Sequence, residues 1–401
     1  MKTTLLIVFA FVIGISVSAQ KIAQPSAANS KVKAEMRNKM ILEETGNTSV
    51  LKSPGYFPNA APGVYETPIG MTLYDLQSNA AVQNRIHVYP DGTVGAVWTT
   101  GWIPPATAFA DRGTGYNYFD GVAWGEIPTE RIPSETKKNG WPSYGPLGEN
   151  GEFVISHTGA SGLYFTSRPT KGTGDWTSVI IPNTGSYTWP RAISNGNSVH
   201  LLVNTGALYQ GLTNALVYFR STDGGATFTG PTIIPGLDAA SFTLNANFTG
   251  IGGDAYAWAA PRGDSLAFVV TDGWGGIWAF KSFDNGLNWT KVTAYEFPAN
   301  PVVDVIYASH DDFSAIALDK NGKVHLAFGR MRVSDDDLAA ANSSYYPFTD
   351  GLIYWNEDMP VLDTTLAFGS GEASTATDAD SDPVVVQVGT STATIRSSRF
   401  L

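Results

Sequence analysis

The chain has 401 residues, 43% hydrophobic and 15% charged, too apolar for a disordered polymer and ample for a large buried core. With 25 Lys and Arg against 36 Asp and Glu, its formal charge is −11, which excludes the basic footprint of a nucleic-acid or anionic-membrane surface. It has no cysteine, hence no disulfide, no thiolate metal site and no cysteine nucleophile.

Met1-Lys2 places one positive charge before the apolar run Leu5 to Val17, and Val17-Ser18-Ala19 supplies small residues for cleavage. This predicts a signal peptide over 1–19, cleaved between Ala19 and Gln20. The run falls short of the about 20 apolar residues of a membrane anchor. The expectation is a secreted chain without membrane insertion, and export without cysteines suits a bacterial protein. Residues 20–50 read as a flexible leader and 51–401 as one folded domain.

Ile69 to Leu76 alternates as a strand would. A turn followed by an alternating apolar strand then recurs at Asp91-Gly92, Asn150-Gly151, Asn197-Ser198, Asp264-Ser265, Asn321-Gly322 and Asp382-Pro383. An aromatic strand follows each copy: Gly121–Trp124, Gly162–Phe165, Ala215–Phe219, Gly276–Phe280, Gly351–Trp355 and, at the end, Thr392–Arg396. Period two throughout excludes helical solenoids. Six in-phase copies predict an all-β, six-bladed β-propeller of four-stranded antiparallel blades, closed by the N-terminal strand 69–76. Two separate β-sandwiches are the alternative.

Two copies carry a sharper pattern after the aromatic strand: Ser221-Thr222-Asp223-Gly224-Gly225-Ala226-Thr227-Phe228 and Ser282-Phe283-Asp284-Asn285-Gly286-Leu287-Asn288-Trp289. Both fit Ser-x-Asp-x-Gly-x-(Thr/Asn)-aromatic. The aspartate can cap the turn, the glycine can take positive φ and the aromatic can tuck beneath. This resembles the Asp-box, or bacterial neuraminidase repeat, of sialidase-like propellers. The resemblance implies a structural role for Ser221, Asp223, Gly225, Phe228, Ser282, Asp284, Gly286 and Trp289, with Thr173 to Trp176 a degenerate relative.

For function, the resemblance implies glycan recognition at the central face. A sialidase of that superfamily shows Arg-Ile-Pro on its first inner strand, two further arginines for the sugar carboxylate, a tyrosine nucleophile with a glutamate partner, and an aspartic acid/base. Arg85-Ile86-His87 resembles the first, with His where Pro would stand, while Arg262 and Arg330 are the further arginines. Asp111 stands at the acid/base position and Tyr345 is a candidate nucleophile. No glutamate lies between Glu152 and Glu296 to serve a tyrosine, so the catalytic set is incomplete.

Trp141, Tyr144, Trp189, Arg191 and Trp258, near the inner strands, are the candidate sugar platform. The five histidines show no metal-ligand spacing. Asp311-Asp312 and Asp335-Asp336-Asp337 offer oxygens for calcium, solvated loops being the plainer reading. The expectation is therefore a glycan or glycoconjugate partner, no metal or other cofactor, and binding without turnover. Sialidase-type exo-hydrolysis and a protein-binding adhesin are the alternatives.

Overall fold

The computed structural model describes residues 67–80, 84–103, 109–159, 161–339, 343–345, 352–362, 386–388 and 391–393. Its strands form successive antiparallel meanders. The first is β1 (Ile86–Val88), β2 (Val94–Thr100) and β3 (Gly113–Phe119). The second is β4 (Gly140–Leu147), β5 (Gly151–His157), β6 (Leu163–Arg168) and β7 (Thr177–Ile181). The third is β8 (Tyr187–Asn195), β9 (Ser198–Thr205), β10 (Leu216–Ser221) and β11 (Thr229–Thr232). The fourth is β12 (Tyr256–Trp258), β13 (Leu266–Asp272), β14 (Gly276–Ser282) and β15 (Thr290–Glu296). In the fifth, β16 (Tyr307–Leu318) pairs β17 (Val324–Ser334), which carries both β18 (Ser344–Tyr345) and β19 (Leu352–Asn356) on its far edge. The hairpin β20 (Val386–Val388) and β21 (Ser391–Ala393) stands where the sixth repeat was expected.

The first strand of each sheet lies against the first strand of the next, so the sheets stand side by side as blades. Middle strands are then covered on both faces, and β5, β9, β13 and β14 are buried almost throughout. Outer strands such as β7 alternate with solvent. Turns joining first to second and third to fourth strands share one face, the hairpin face. The remaining loops share the other, the loop face.

Two expectations differ from the structure. The third strand of the first blade is Gly113–Phe119, while Gly121 to Trp124 forms a turn closed by the single bridge Phe119–Trp124. The glycines that disguise β3 are steric requirements. A Cβ on Gly115 would lie 2.3 Å from the Trp98 ring, and one on Gly113 would lie 2.4 Å from Arg131. Residues 69–76 form no strand, and most of the sixth repeat they were expected to close lies outside the described residues. They run along the first blade, where Leu73 N donates to Gly101 O (2.9 Å) and Asn117 Nδ2 to Ile69 O (2.6 Å). The leader and the signal peptide lie outside the described residues.

The two Ser-x-Asp-x-Gly turns share one geometry. Asp223 accepts from Ser221 Oγ (2.7 Å), Thr227 N (2.9 Å) and Thr227 Oγ1 (2.6 Å). Asp284 accepts from Ser282 Oγ (2.8 Å), Asn288 N (2.8 Å) and Asn288 Nδ2 (2.6 Å). These donors, the neighbouring side chain first at Asp223 and the Asn288 amide first at Asp284, hold both carboxyls down at about 2. Each closing aromatic packs edge-on against the third strand of the preceding blade: Phe228 on Phe165 and Trp289 on Tyr218. Trp176 does the same on Tyr116, which makes the degenerate copy a working staple too.

Candidate functional site

On the loop face, non-glycine residues take positive φ at the entry to four inner strands, Asn84 (57°), Trp141 (51°), Trp189 (48°) and Asp254 (70°), and inside β16 at Asp312 (64°). Three of these coincide with register shifts, in β4, β8 and β16. A bulge adds one residue to the strand and re-aims the side chains around it. Each such residue costs about 1–3 kcal/mol and persists where its surroundings hold it. Trp141 N donates to Thr99 Oγ1 (3.1 Å) and Trp189 N to His157 Nδ1 (2.9 Å), tying each blade to its neighbour.

Arg85 follows Asn84, and Arg191 lies two residues after Trp189. The two guanidiniums repel one another beside one buried carboxylate, Asp254, to which Arg191 Nη2 pairs at 2.5 Å. Burial, then the charge of Arg191, push Arg85 down to about 9 against the opposing pull of Asp254. It remains a cation at neutral pH. Arg85 Nη2 donates to Gln77 O (2.5 Å), and its Nη1 is buried without an acceptor among the described residues.

Arg112 completes the basic half. It lies over the rings of Trp141 (4.9 Å) and Tyr74 (5.0 Å) and donates from Nε to Asn139 O (2.9 Å). His157 stacks on Trp141 with centroids 4.9 Å apart and planes 13° apart. Burial, then Arg112, Arg191 and Arg85, force its imidazole down to about 3, so it is neutral. One histidine thus senses three arginines.

The fourth and fifth blades supply an acidic half. Burial raises the Asp272 carboxyl to about 7, against the Trp274 N–H that donates to its Oδ1 (2.9 Å). Asp312 opens 42% of its side chain to solvent, and its remaining sides face protein. That burial, then the Asp272 and Asp311 carboxylates, hold it well above the ordinary range. Asp272 thus keeps a proton available near neutral pH beside Asp312.

The structure scatters the other expected residues. Arg262 sits in the β12–β13 hairpin on the opposite face, its Nε on Leu318 O (2.6 Å). Arg330 is one strand out from the inner strand, in register with His310. Asp111 caps the loop after β2, accepting from Trp102 N (2.6 Å) and Ile103 N (3.1 Å). Tyr345 pairs its backbone with Val333. Trp258 is buried, its Nε1 on Arg191 O (2.9 Å). Tyr144 is buried beside Glu152, to which its hydroxyl donates, in a network with Tyr89, Tyr116 and Arg168. Glu152 of this pair stands at the hairpin-face end of β5. Asp335 accepts from Asp337 N (2.9 Å), closing its own turn. Among the described residues no group of three or more His, Asp or Glu could hold a metal ion, and no helix is long and apolar enough to cross a membrane.

Arg112, His157, Asp254, Asp272 and Asp312 were not singled out for the arginine cluster or the carboxyl pair from sequence. One signal was present: Trp141-Pro142 and Trp189-Pro190 repeat at the entry to consecutive inner strands.

Neither the protein-family models nor the curated proteins contain a match to this chain. Among solved structures it is similar to an ulvan lyase bound to -[GlcA(1-4)Rha3S]-, at 12% identity and TM-score 0.42, covering 70% of this chain and 81% of that one. It is also similar to an alpha-L-arabinofuranosidase from Fusarium graminearum, at 13% identity and TM-score 0.41, covering 72% and 90%. The intramolecular trans-sialidase from Ruminococcus gnavus follows at 17% identity and TM-score 0.37, covering 62% of this chain and 51% of that one.

Proposed function

We propose that this chain is a secreted glycan-binding protein, a six-bladed Asp-box propeller that takes an acidic saccharide at the loop-face mouth of its central channel. One observation carries the reading: Arg85, Arg112 and Arg191 converge on a neutral His157 with Asp254 as the carboxylate beside them. Guanidiniums held this way suit a sugar carboxylate, which they can grip with paired, charge-assisted hydrogen bonds. The half-buried Trp189 ring alongside suits the apolar face of a pyranose, while Trp141, covered by Arg112 and His157, holds the arginine in place.

Binding ranks ahead of turnover because the Tyr144–Glu152 pair is buried and its side chains are engaged with Tyr89, Tyr116 and Arg168. Hydrolysis is the second reading, favoured by the proton on the Asp272–Asp312 pair, which could serve a glycosidic oxygen as general acid.

Calorimetric titration with uronate- or sialate-ended oligosaccharides and their neutral counterparts tests the first reading. Acidic ligands should bind at least about tenfold tighter, with the preference lost in Arg85→Met. Equal affinity for neutral and acidic sugars would overturn it. Fluorophore release from the matching glycosides, abolished in Asp272→Asn, would move the assignment to hydrolysis.

A further inference from the structure

The arginine cluster already has an occupant. Residues 74–80 cross from the first blade to the fourth over Arg85 and Asp254. At one end, Gln77 uses its side-chain amide as a strand neighbour would use its backbone. Thr99 N donates to Gln77 Oε1 (2.8 Å), and Gln77 Nε2 donates to Thr99 O (2.9 Å). In the middle, Gln77 O receives Arg85 Nη2 at 2.5 Å. At the other end, Asn79 N donates to Asp254 Oδ2 (3.2 Å) and Asn79 Nδ2 to Gly253 O (2.7 Å). Tyr74 lies edge-on to Trp141 and accepts from Arg112 Nη1 at 3.2 Å.

Two features mark this strap as removable. Its one leucine is no anchor, since Leu76 is 52% exposed, so between the Tyr74 ring and buried Ala80 its hold is polar. The arginine beneath is also half used: one terminal nitrogen meets a neutral carbonyl and the other, buried, meets no acceptor among the described residues. A carboxylate would fill both arms of that fork with charge-assisted bonds, where the strap offers one neutral oxygen.

We propose that residues 74–80 are a displaceable plug, the Gln77 carbonyl standing where one carboxylate oxygen of an acidic saccharide binds Arg85. This rests on the reading of the channel mouth as an acidic-saccharide site. Ligand and strap then compete, and apparent affinity is the intrinsic affinity multiplied by the fraction of chains whose strap is lifted.

The test uses the full chain and D-glucuronate as the probe. Asn79→Asp keeps the shape of the strap but sets a carboxylate beside Asp254 and the Gly253 carbonyl. Gln77→Ala, as a second variant, removes the clamp on Thr99 and leaves every arginine in place. Each should bind glucuronate about tenfold tighter than the parent chain. In the parent, saturating glucuronate should speed hydrogen exchange at the Thr99 and Asn79 amides.

Equal or weaker binding in both variants, with those amides better protected by glucuronate, would make the strap a wall of the site and overturn the plug while leaving the saccharide reading intact. Absence of glucuronate binding in the parent and in both folded variants would overturn the saccharide reading and the plug together.

Discussion

The two faces of the blades use the same kind of junction for different ends. On the hairpin face, neighbouring blades are stitched by satisfied polar contacts. Lys171 pairs with Asp91 (2.6 Å), Gly148 N donates to Gly196 O (2.9 Å), Asn195 Nδ2 to Asn285 Oδ1 (3.1 Å) and Arg262 Nε to Leu318 O (2.6 Å). On the loop face, strained backbone and like charges stand beside one another, and the carboxyl that ends β13 is raised to about 7. Local rules are kept where the blades must cohere and broken on the loop face, the pattern expected when cohesion and recognition occupy opposite ends of one scaffold.

The sharpest way to break this contrast is to remove one charge from each face. Glu152 is fully buried and receives Arg168 Nε (2.6 Å), Tyr116 Oη (2.9 Å) and Gly172 N (2.9 Å). Glu152→Gln leaves Arg168 uncompensated and should cost about 3–5 kcal/mol, read from the urea midpoint. Arg85→Met on the loop face removes one of two repelling cations, so stability should stay within about 1 kcal/mol while acidic-ligand affinity falls about tenfold or more. Similar losses of stability in both variants would erase the distinction between the faces.

Acid titration sharpens it further. The Asp272 carboxyl titrates near 7 in the fold and near its ordinary acidic value, about 3.9, when unfolded. Between these values the folded chain holds a proton the unfolded chain lacks, so stability falls as pH rises from about 4 to about 7. Asp272→Asn should remove that decline in a series of thermal melts. His157 acts in the opposite sense. Neutral in the fold above about 3, it contributes stability that is lost as pH drops from about 6.5 toward 3.

The smallest effect belongs to the turn aspartates. Their folded carboxyls lie near 2, so their contribution is present above about 3.9 and lost as pH falls through about 2. Melts between pH 4 and 2 should therefore drop less steeply in Asp223→Asn and Asp284→Asn than in the parent chain.

Much of the fold was legible in the sequence because period-two alternation and Gly or Asn turns report burial between blades directly. β3 escaped because Gly113-Thr114-Gly115 trades side-chain pattern for clearance beneath Trp98 and Arg131. The site was legible only in part. Pro190-Arg191 and Pro261-Arg262 look alike in sequence, yet one opens an inner strand on the loop face and the other closes a hairpin on the opposite face. Only register separates them. Asp272 ends the second strand of one blade and Asp312 lies inside the first strand of the next, so their meeting is a product of blade packing rather than of any local motif.

The Gln77 clamp has a kinetic consequence. Two hydrogen bonds to Thr99 are made by one side chain in place of a strand, so turning a few single bonds undoes them without peeling any ladder. Such motions take on the order of nanoseconds to microseconds, far faster than a blade can unfold. Release of this clamp is thus separated in time from the integrity of the fold.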